Sequence, residues 1–399
     1  MTPMTPMTLA ERLSRVTPSQ TQQVLLEADR LRRQGVDVVD FGPGEPDFPT
    51  PGHIKAAGAA AIAGDFTRYT PSAGIAELKE ALCARYAADY GVDYQPAEAI
   101  VTAGGKQALF NLAMALFGPG DEVVTHAPGW PSIVEQIRLA DAEPVLVRTH
   151  PDDGFRLHPE RIVEALTPRT RAIVINSPCN PTGALVEEDD LAAIADAAAP
   201  RGIWIVLDLC YEKLIYDTRP HNLPRVLARR ARDRAVLVGS LSKSYAMTGW
   251  RCGWALGPAA LIAAANAVQG HSTSNVSSIT QRAAVAALAG PQDCVGAMLA
   301  EYRGRRDQVL AWLAPEPRIR IGTPGGAFYL FPDVGDLLSP DGPRTSAELA
   351  ARLLAEAHVA VTAGEAFDAP GFVRLSYATS LAQLEAGTAR LLRFAAALG

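Results

Sequence analysis

Short apolar runs recur through the middle of the chain, and longer segments with helical spacing of apolar residues lie between them. The runs are rich in Val, Ile and Leu, which is typical of strands buried on both faces. They predict seven strands, at residues 99–103, 122–127, 143–149, 171–177, 204–209, 235–240 and 252–257. Because helical segments separate the first six runs, we expect an α/β fold with a mainly parallel seven-stranded sheet.

The pattern differs on either side of this region. A helix is predicted from Thr17 to Gly35 and a strand at residues 36–41. After residue 290 the pattern predicts a long helix, strands near IRIG, AFYLF and FVRLSY, and a closing helix from Leu381. We therefore expect a large domain at 51–290, a smaller α+β domain from 17–50 and 291–399, and an N-terminal tail or arm at 1–16.

Polar motifs follow five of the predicted strands directly. These motifs are GGK, PGW, NSPCNPTG, DLCY and SLSK. In open α/β sheets, ligands bind beyond the carboxyl ends of the strands. The sequence therefore predicts a ligand site where these five motifs meet.

Composition narrows the class of protein. The 399 residues carry a net charge of −6, which argues against nucleic acid or a membrane surface as a partner. The five cysteines have no CxxC spacing, which favours free thiols in a reducing compartment over disulfides or a zinc site. No apolar run is long enough to span a membrane. We expect a cytoplasmic enzyme without a metal ion.

Lysine is rare in this chain, which draws attention to Lys243. Only 5 of the 37 basic residues are lysines, and Lys243 interrupts the apolar stretch VLVGSLSKSYAMTGW. A buried lysine has a lowered pKa and forms Schiff bases with carbonyl compounds, including pyridoxal phosphate. Ser240, Ser242 and Arg251 nearby suit a phosphate group. The alternative is a loop lysine that pairs with a carboxylate.

The other candidates are individually weaker. Asp208 could hold a pyridine nitrogen protonated or merely cap a turn, and Tyr211 could donate to a ring oxygen. Arg374, between apolar residues, should face a carboxylate that belongs either to the protein or to a substrate. The remaining candidates are Asn180 in a turn, the loop Gly104-Gly105-Lys106 as a phosphate cradle at a helix N-terminus, and Trp130, which could stack on a flat ring.

In combination these motifs resemble a known family. RYTPSAGIAELKEAL, TAGGKQALFNLA, NSPCNPTGALV, DLCYEKLIY, SLSKSYAMTGWRCGW, GGAFYLF and GFVRLSYA occur in the order of the class I pyridoxal-phosphate aminotransferases of fold type I. The resemblance covers nearly the whole chain. It is strongest to the subgroup with GGKQ, which contains bacterial aspartate and prephenate aminotransferases.

The resemblance implies a role for each matching residue. Lys243 would form the internal aldimine, Asp208 would pair with the pyridine nitrogen, and Asn180 and Tyr211 would contact the 3′-oxygen. The phosphate would lie among Gly105, Lys106, Ser240, Ser242 and Arg251, with Trp130 stacked on the ring. Arg374 would bind the substrate α-carboxylate, with Trp130, Asn180 and Gly44 also at the substrate. Tyr69 would reach the phosphate of a neighbouring subunit, which implies a homodimer with shared active sites.

The implied activity is transfer of an amino group from an L-amino acid to a 2-oxo acid by a ping-pong aldimine/ketimine mechanism. Lys106, with Thr21 nearby, can meet a distal carboxylate in the subgroup, which favours aspartate or glutamate with 2-oxoglutarate. Specificity for aromatic, alanine-type or specialised amino acids, and elimination or oxidation, are the alternatives. Two residues depart from the family pattern: Leu209 replaces an acidic residue, and Gly129 replaces an aromatic one.

Overall fold

Helices and strands alternate through the computed structural model, which describes residues 10–18, 20–216 and 221–398. The α-helices are α1 (Gln20–Arg33), α2 (Gly52–Ala63), α3 (Ala76–Tyr90), α4 (Gly105–Leu116), α5 (Pro131–Leu139), α6 (Pro159–Glu164), α7 (Glu188–Ala198), α8 (Leu223–Arg230), α9 (Leu241–Ser244), α10 (Ala259–Gly270), α11 (Ser278–Ala289), α12 (Asp293–Leu313), α13 (Ser346–Ala357) and α14 (Leu381–Ala397). The strands are β1 (Val39–Asp40), β2 (Ala99–Thr102), β3 (Glu122–Ala127), β4 (Glu143–Arg148), β5 (Thr170–Asn176), β6 (Trp204–Asp208), β7 (Ala235–Ser240), β8 (Gly253–Leu256), β9 (Tyr329–Leu330), β10 (Val359–Ala360), β11 (Thr362–Ala363) and β12 (Val373–Ser376). The predicted α/β class is confirmed.

The large sheet has the strand order β2-β8-β7-β6-β5-β3-β4. The pairs from β7 through β6, β5 and β3 to β4 are parallel, whereas β8 runs antiparallel to both β7 and β2. All seven predicted strands are present, and their ends differ from the predicted bounds by at most one residue. The five motif-bearing strands all point in one direction, so their carboxyl ends meet at one edge of the sheet.

Alternate residues of the central strands pack on opposite faces of this sheet. Ile205 and Leu207 of β6 belong to a core cluster with α3, α7 and α11, whereas Val206 belongs to a second cluster with α4, α5 and α10. This two-residue period is the geometry of an extended chain. Helices thus cover both faces, which holds the strand ends in fixed positions.

A further core cluster joins β1 to the C-terminal third of the chain. Val39 and Phe41 pack with residues of α12, α13 and α14. Beside this cluster, β11, β12 and β9 form an antiparallel sheet, and β1 pairs with β10. β9 and β12 lie within the predicted strands AFYLF and FVRLSY, whereas in IRIG only Arg320 forms a single bridge, to Asp333. The domain boundaries at residues 50 and 290 remain predictions.

The N-terminal predictions were only partly met. α1 lies within the predicted helix at residues 17–35, and β1 covers two residues of the predicted strand at 36–41. Of the predicted tail or arm at 1–16, residues 1–9 lie outside the described residues, and residues 11–15 form a 3₁₀ helix. In the described ranges no single helix is both long and apolar enough to cross a membrane, and α11 with α12 meets these criteria only as a pair bent by 81°.

Candidate active site

The carboxyl edge of the large sheet borders a cavity of about 530 Å³. Twelve predicted site residues line it, namely Gly44, Gly105, Lys106, Trp130, Asn180, Asp208, Tyr211, Ser240, Ser242, Lys243, Arg251 and Arg374. Most of these residues follow different strands of the sheet, while Gly44 follows β1 and Arg374 lies in β12. The fold therefore brings together residues that are up to 330 positions apart in the sequence, Gly44 and Arg374 (374 − 44 = 330).

One end of the cavity is built to hold an anion. α4 begins at Gly105, and the N-terminus of a helix presents free N–H groups and a partial positive charge. Arg251 lies beside it: a Cβ atom at Gly104, where φ is +85°, would lie 2.6 Å from Arg251 Nη2. The Ser240 and Ser242 hydroxyls, 2.7 Å apart, lie at the same end. Only glycine at position 104 lets the guanidinium approach the loop this closely.

Lys243 follows β7 on the short helix α9 and is half-buried at the cavity wall. Its Nζ donates a hydrogen bond to the carbonyl oxygen of Gly44 and lies 5.9 Å from the centre of the Phe328 ring. Burial lowers the pKa of Lys243 to about 8, against the opposing effects of Cys210 and Glu45. About a tenth of this amine is therefore neutral, and so nucleophilic, at pH 7, which is several hundred times the fraction of an ordinary lysine.

Asp208 ends β6 and is 1% exposed. Its Oδ1 accepts a hydrogen bond of 3.0 Å from the backbone N–H of Cys210. Burial raises the pKa of Asp208, which the Cys210 hydrogen bond and nearby His126 and Lys243 partly offset. A buried carboxylate that lines a cavity is stabilised by a cationic partner, so this position suits a protonated ring nitrogen.

Arg374 is 3% exposed and binds neutral oxygens only. Its Nη1 donates to Asn180 Oδ1 at 2.9 Å, and its Nη2 donates to the Gly42 carbonyl at 2.6 Å. Its Nε is buried without a hydrogen-bond partner, and no carboxylate in the described ranges forms an ion pair with it. A buried guanidinium without a counter-charge is costly, so the cavity favours a ligand carboxylate here.

Lys106 and Trp130 lie together at the cavity wall. Lys106 Nζ lies 5.0 Å from the centre of the Trp130 ring, within the range of a cation–π interaction. Lys106 is exposed, and none of the described carboxylates pairs with it. Trp130 directly precedes α5, which fixes where its ring enters the cavity.

Comparison with known proteins identifies the family. The family model for "Aminotransferase class I and II" matches residues 36–391. The chain belongs to the class I and II aminotransferases. An aspartate aminotransferase of Geobacillus stearothermophilus is 43% identical over 97% of this chain and 99% of its own length. An aspartate/prephenate aminotransferase of Cereibacter sphaeroides is 40% identical over 98% of this chain and 99% of its own.

A solved structure confirms the predicted fold type. Aspartate aminotransferase from Thermus thermophilus with maleate superposes on this chain with a TM-score of 0.91 at 42% identity. The match covers 98% of this chain and 100% of that one. The protein is thus a fold type I enzyme that transfers amino groups with pyridoxal phosphate as its cofactor.

The cavity of this aminotransferase fits that cofactor. Its anion-binding end suits the phosphate, the neutral amine of Lys243 suits the aldehyde, and the buried Asp208 suits the pyridine nitrogen. A Cβ atom at Gly105 would lie 2.8 Å from Cys210 Sγ, so the start of α4 has to be bare backbone. The described residues contain no group of three or more His, Cys, Asp and Glu side chains that could hold a metal ion.

Seven residues that line the aminotransferase cavity were not singled out from the sequence, and three of them, Glu45, Thr248 and Tyr329, make side-chain hydrogen bonds there. The Tyr329 hydroxyl lies 2.7 Å from the Tyr211 hydroxyl, and Thr248 Oγ1 donates to Glu45 Oε2 at 2.9 Å. Glu45 directly follows Gly44, and Tyr329 lies in the AFYLF run, so both were adjacent to recognised motifs. The only sequence feature that could have singled out Tyr329 is its polar hydroxyl within an otherwise apolar run.

Tyr69 lies apart from the other predicted residues. Its side chain is 92% exposed and does not line this chain's cavity. Thr21 lies in α1, and its side chain is outside what the structure describes. The assignment of Tyr69 to a neighbouring subunit therefore remains a proposal.

The two departures from the family pattern have local structural reasons. Leu209 is 3% exposed in the large core cluster, and its backbone N–H donates to Val238 at 2.8 Å. A Cβ atom at Gly129 would lie 2.4 Å from the His126 carbonyl oxygen. An aromatic residue therefore cannot replace Gly129 unless this backbone shifts.

The lowered pKa of Lys243 predicts a pH-dependent contribution to stability. Between about pH 8 and 10.5, Lys243 is protonated in the unfolded chain and neutral in the folded one. The unfolded state then binds more protons, so stability rises with pH across this window. Relative to Lys243→Met, the free energy of unfolding of the cofactor-free wild type should rise by about 1 to 3 kcal/mol from pH 8 to 10.5. Denaturant titrations at both pH values measure this difference, and a flat or falling difference would contradict the burial of the amine.

Proposed function

We propose that the enzyme exchanges amino groups between a dicarboxylic amino acid, aspartate or glutamate, and 2-oxoglutarate. The carrying observation is that Lys106, Arg251 and Arg374 line one cavity and none pairs with a described carboxylate. A phosphate and two carboxylates would supply one anionic group for each of these cations. An amino acid without a distal carboxylate would leave one cation unmatched.

Two findings on relatives support this choice. The Thermus thermophilus structure contains maleate, which is a dicarboxylate. The Geobacillus and Cereibacter relatives are named for aspartate, and the second is also named for prephenate, a larger dicarboxylic 2-oxo acid. Both names describe compounds that carry two negative charges.

Within this proposal, each cavity residue has a task toward the cofactor or the substrate. Lys243 provides the amine that binds the cofactor covalently, Asp208 pairs with its ring nitrogen, and Asn180 and Tyr211 contact its 3′-oxygen. The phosphate group is held by Gly105, the backbone N–H of Lys106, Ser240, Ser242 and Arg251, and the ring stacks on Trp130. Arg374 holds the α-carboxylate, with Asn180 and Gly44 beside it and Lys106 toward the distal carboxylate.

Pyridoxal phosphate, when bound, supplies an aldehyde that takes up the amino group and a ring that accepts electrons from the substrate α-carbon. The protein's part is to position this carbon and to move its proton. Arg374 fixes the α-carboxylate, which places the α-hydrogen toward Lys243. The neutral Nζ of Lys243 would take the proton from the α-carbon and deliver it to the cofactor carbon that bore the aldehyde, which leaves the amine neutral again. Asp208 keeps the ring nitrogen protonated, which maintains the ring as an electron acceptor.

We also propose a homodimer with shared active sites and a cytoplasmic location. Tyr69 supports the homodimer, because its side chain is 92% exposed and its hydroxyl is therefore accessible to the active site of a second copy of the chain. The five cysteines are free thiols, which accords with a reducing compartment. Sedimentation of the holoenzyme measures the oligomeric state directly.

Substrate choice is tested at Lys106. Lys106→Met should lower kcat/KM for aspartate by about 10- to 100-fold, because a charge-assisted hydrogen bond to the distal carboxylate is lost. The value for alanine, which has no distal carboxylate, should stay within about twofold. Steady-state assays with 2-oxoglutarate as acceptor measure both.

The matched control is Lys55→Met, which removes an exposed lysine on α2 that does not line the cavity. It should leave both substrates unaffected. Equal losses for aspartate and alanine in Lys106→Met would mean that Lys106 serves only the cofactor, and the proposed substrate class would then be wrong.

A further inference from the structure

Two buried tyrosine hydroxyls form a pair at the cavity wall. The Oη atoms of Tyr211 and Tyr329 are 2.7 Å apart, and either could donate the hydrogen. Tyr211 is 5% exposed and follows β6, whereas Tyr329 is fully buried in β9. The pair therefore links the large sheet to the small antiparallel sheet that also carries Arg374.

We propose that Tyr329 is a positioning residue that donates its hydroxyl hydrogen to Tyr211, which leaves the Tyr211 hydrogen for the cofactor's 3′-oxygen. This inference rests on the proposed contact between Tyr211 and that oxygen. Tyr329 then acts on the cofactor only through Tyr211.

The direction of donation follows from counting hydrogens. Each phenol has one hydrogen to donate. If Tyr211 donates to the 3′-oxygen, it can only accept from Tyr329, and Tyr211 is the hydrogen-bond partner that the structure shows for the Tyr329 hydroxyl. Hydrogen bonds in such a chain strengthen one another, so donation from Tyr329 makes Tyr211 a better donor.

Packing holds the Tyr329 ring in place for this task. The Arg374 guanidinium lies 4.4 Å from its ring centre, and the Phe328 ring lies 4.9 Å away. A Cβ atom at Gly44 would lie 2.5 Å from Tyr329 Oη, so glycine at that position leaves room for the hydroxyl. The charged and titratable groups that act on Tyr329 are Arg374 on β12, and Tyr211 and Cys210 after β6.

The test is a pH titration of the visible absorbance of bound pyridoxal phosphate. A donor to the 3′-oxygen stabilises its negative charge, so weakening that donor raises the pH midpoint of the titration. Tyr211→Phe should raise the midpoint, and Tyr329→Phe should raise it by about 0.2 to 0.7 pH unit. In the Tyr211→Phe background, Tyr329→Phe should add no further shift, because it acts through the missing hydroxyl.

The control is Tyr377→Phe, which removes a phenol from another buried pair in the same core cluster. Tyr377 Oη lies 3.2 Å from the Tyr216 hydroxyl, and neither of these two tyrosines lines the cavity. Tyr377→Phe should lower the melting temperature about as much as Tyr329→Phe does. It should leave the pH midpoint of the cofactor titration unchanged.

The outcomes of this titration separate the inference about Tyr329 from the proposed contact between Tyr211 and the 3′-oxygen. If Tyr211→Phe shifts the midpoint and Tyr329→Phe does not, the inference is wrong and the proposed function stands. If neither variant shifts it, the assignment of Tyr211 fails and the inference fails with it. An equal shift from Tyr329→Phe in both backgrounds would show that Tyr329 acts independently of Tyr211, which also overturns the inference.

Discussion

Lys243→Ala should lower kcat for transamination by about 10⁴-fold or more. The variant loses both the amine that binds the cofactor and the base that takes the α-proton. Neither function has a substitute nearby, because the other cations that line the cavity, Lys106, Arg251 and Arg374, belong to the anion-binding positions. Purified enzyme saturated with pyridoxal phosphate, assayed with aspartate and 2-oxoglutarate, provides the measurement.

Lys243→Arg tests whether the enzyme needs the amine of Lys243 or only its positive charge. Arginine keeps the positive charge but does not act as a base or nucleophile near neutral pH, so this variant should be as inactive as Lys243→Ala. Lys55→Ala, at an exposed position of α2, serves as the control and should retain full activity. Activity in Lys243→Arg near that of the wild type would mean that only a cation is needed at this position.

Asp208→Asn should lower kcat by about 10²- to 10³-fold. The change keeps the shape of the side chain but removes the negative charge that holds the ring nitrogen protonated. Because Asp208 is 1% exposed, water cannot replace that charge. The cofactor should also bind more weakly, which titration of the apoenzyme with pyridoxal phosphate measures.

A second buried aspartate provides the control for this variant. Asp190 is 4% exposed, accepts two hydrogen bonds of 2.8 Å from Arg156 and does not line the cavity. Asp190→Asn should lower the melting temperature while kcat stays within about twofold of the wild type. If Asp208→Asn also keeps its kcat within twofold, the role given to Asp208 is wrong.

The large sheet was predictable because its strands are short, apolar and buried on both faces. Runs such as 122–127 and 235–240 match β3 and β7 residue for residue. In the C-terminal third, strands of two residues such as β10 and β11 carry too little apolar sequence to be recognised. The IRIG run failed because its apolar residues pack in the core while only Arg320 makes a bridge.

The site was predictable where a residue directly follows a strand of the large sheet. Lys243, Asp208 and Asn180 each stand in a motif at a strand end, and the rule for ligands in α/β sheets places them together. Tyr329 escaped this rule because it lies inside β9, and only the three-dimensional fold brings it to Tyr211. A pattern along one chain also cannot show what a second copy contributes, so Tyr69 stays a proposal.

The central claim is that the ε-amino group of Lys243 binds pyridoxal phosphate covalently. Reduction of the holoenzyme with borohydride, followed by tryptic digestion and mass spectrometry, tests it most directly. We expect a pyridoxyl adduct on Lys243 in the peptide 235–251, which stays intact because trypsin does not cleave after the modified lysine. An adduct on another lysine, or none on this peptide, would contradict the account.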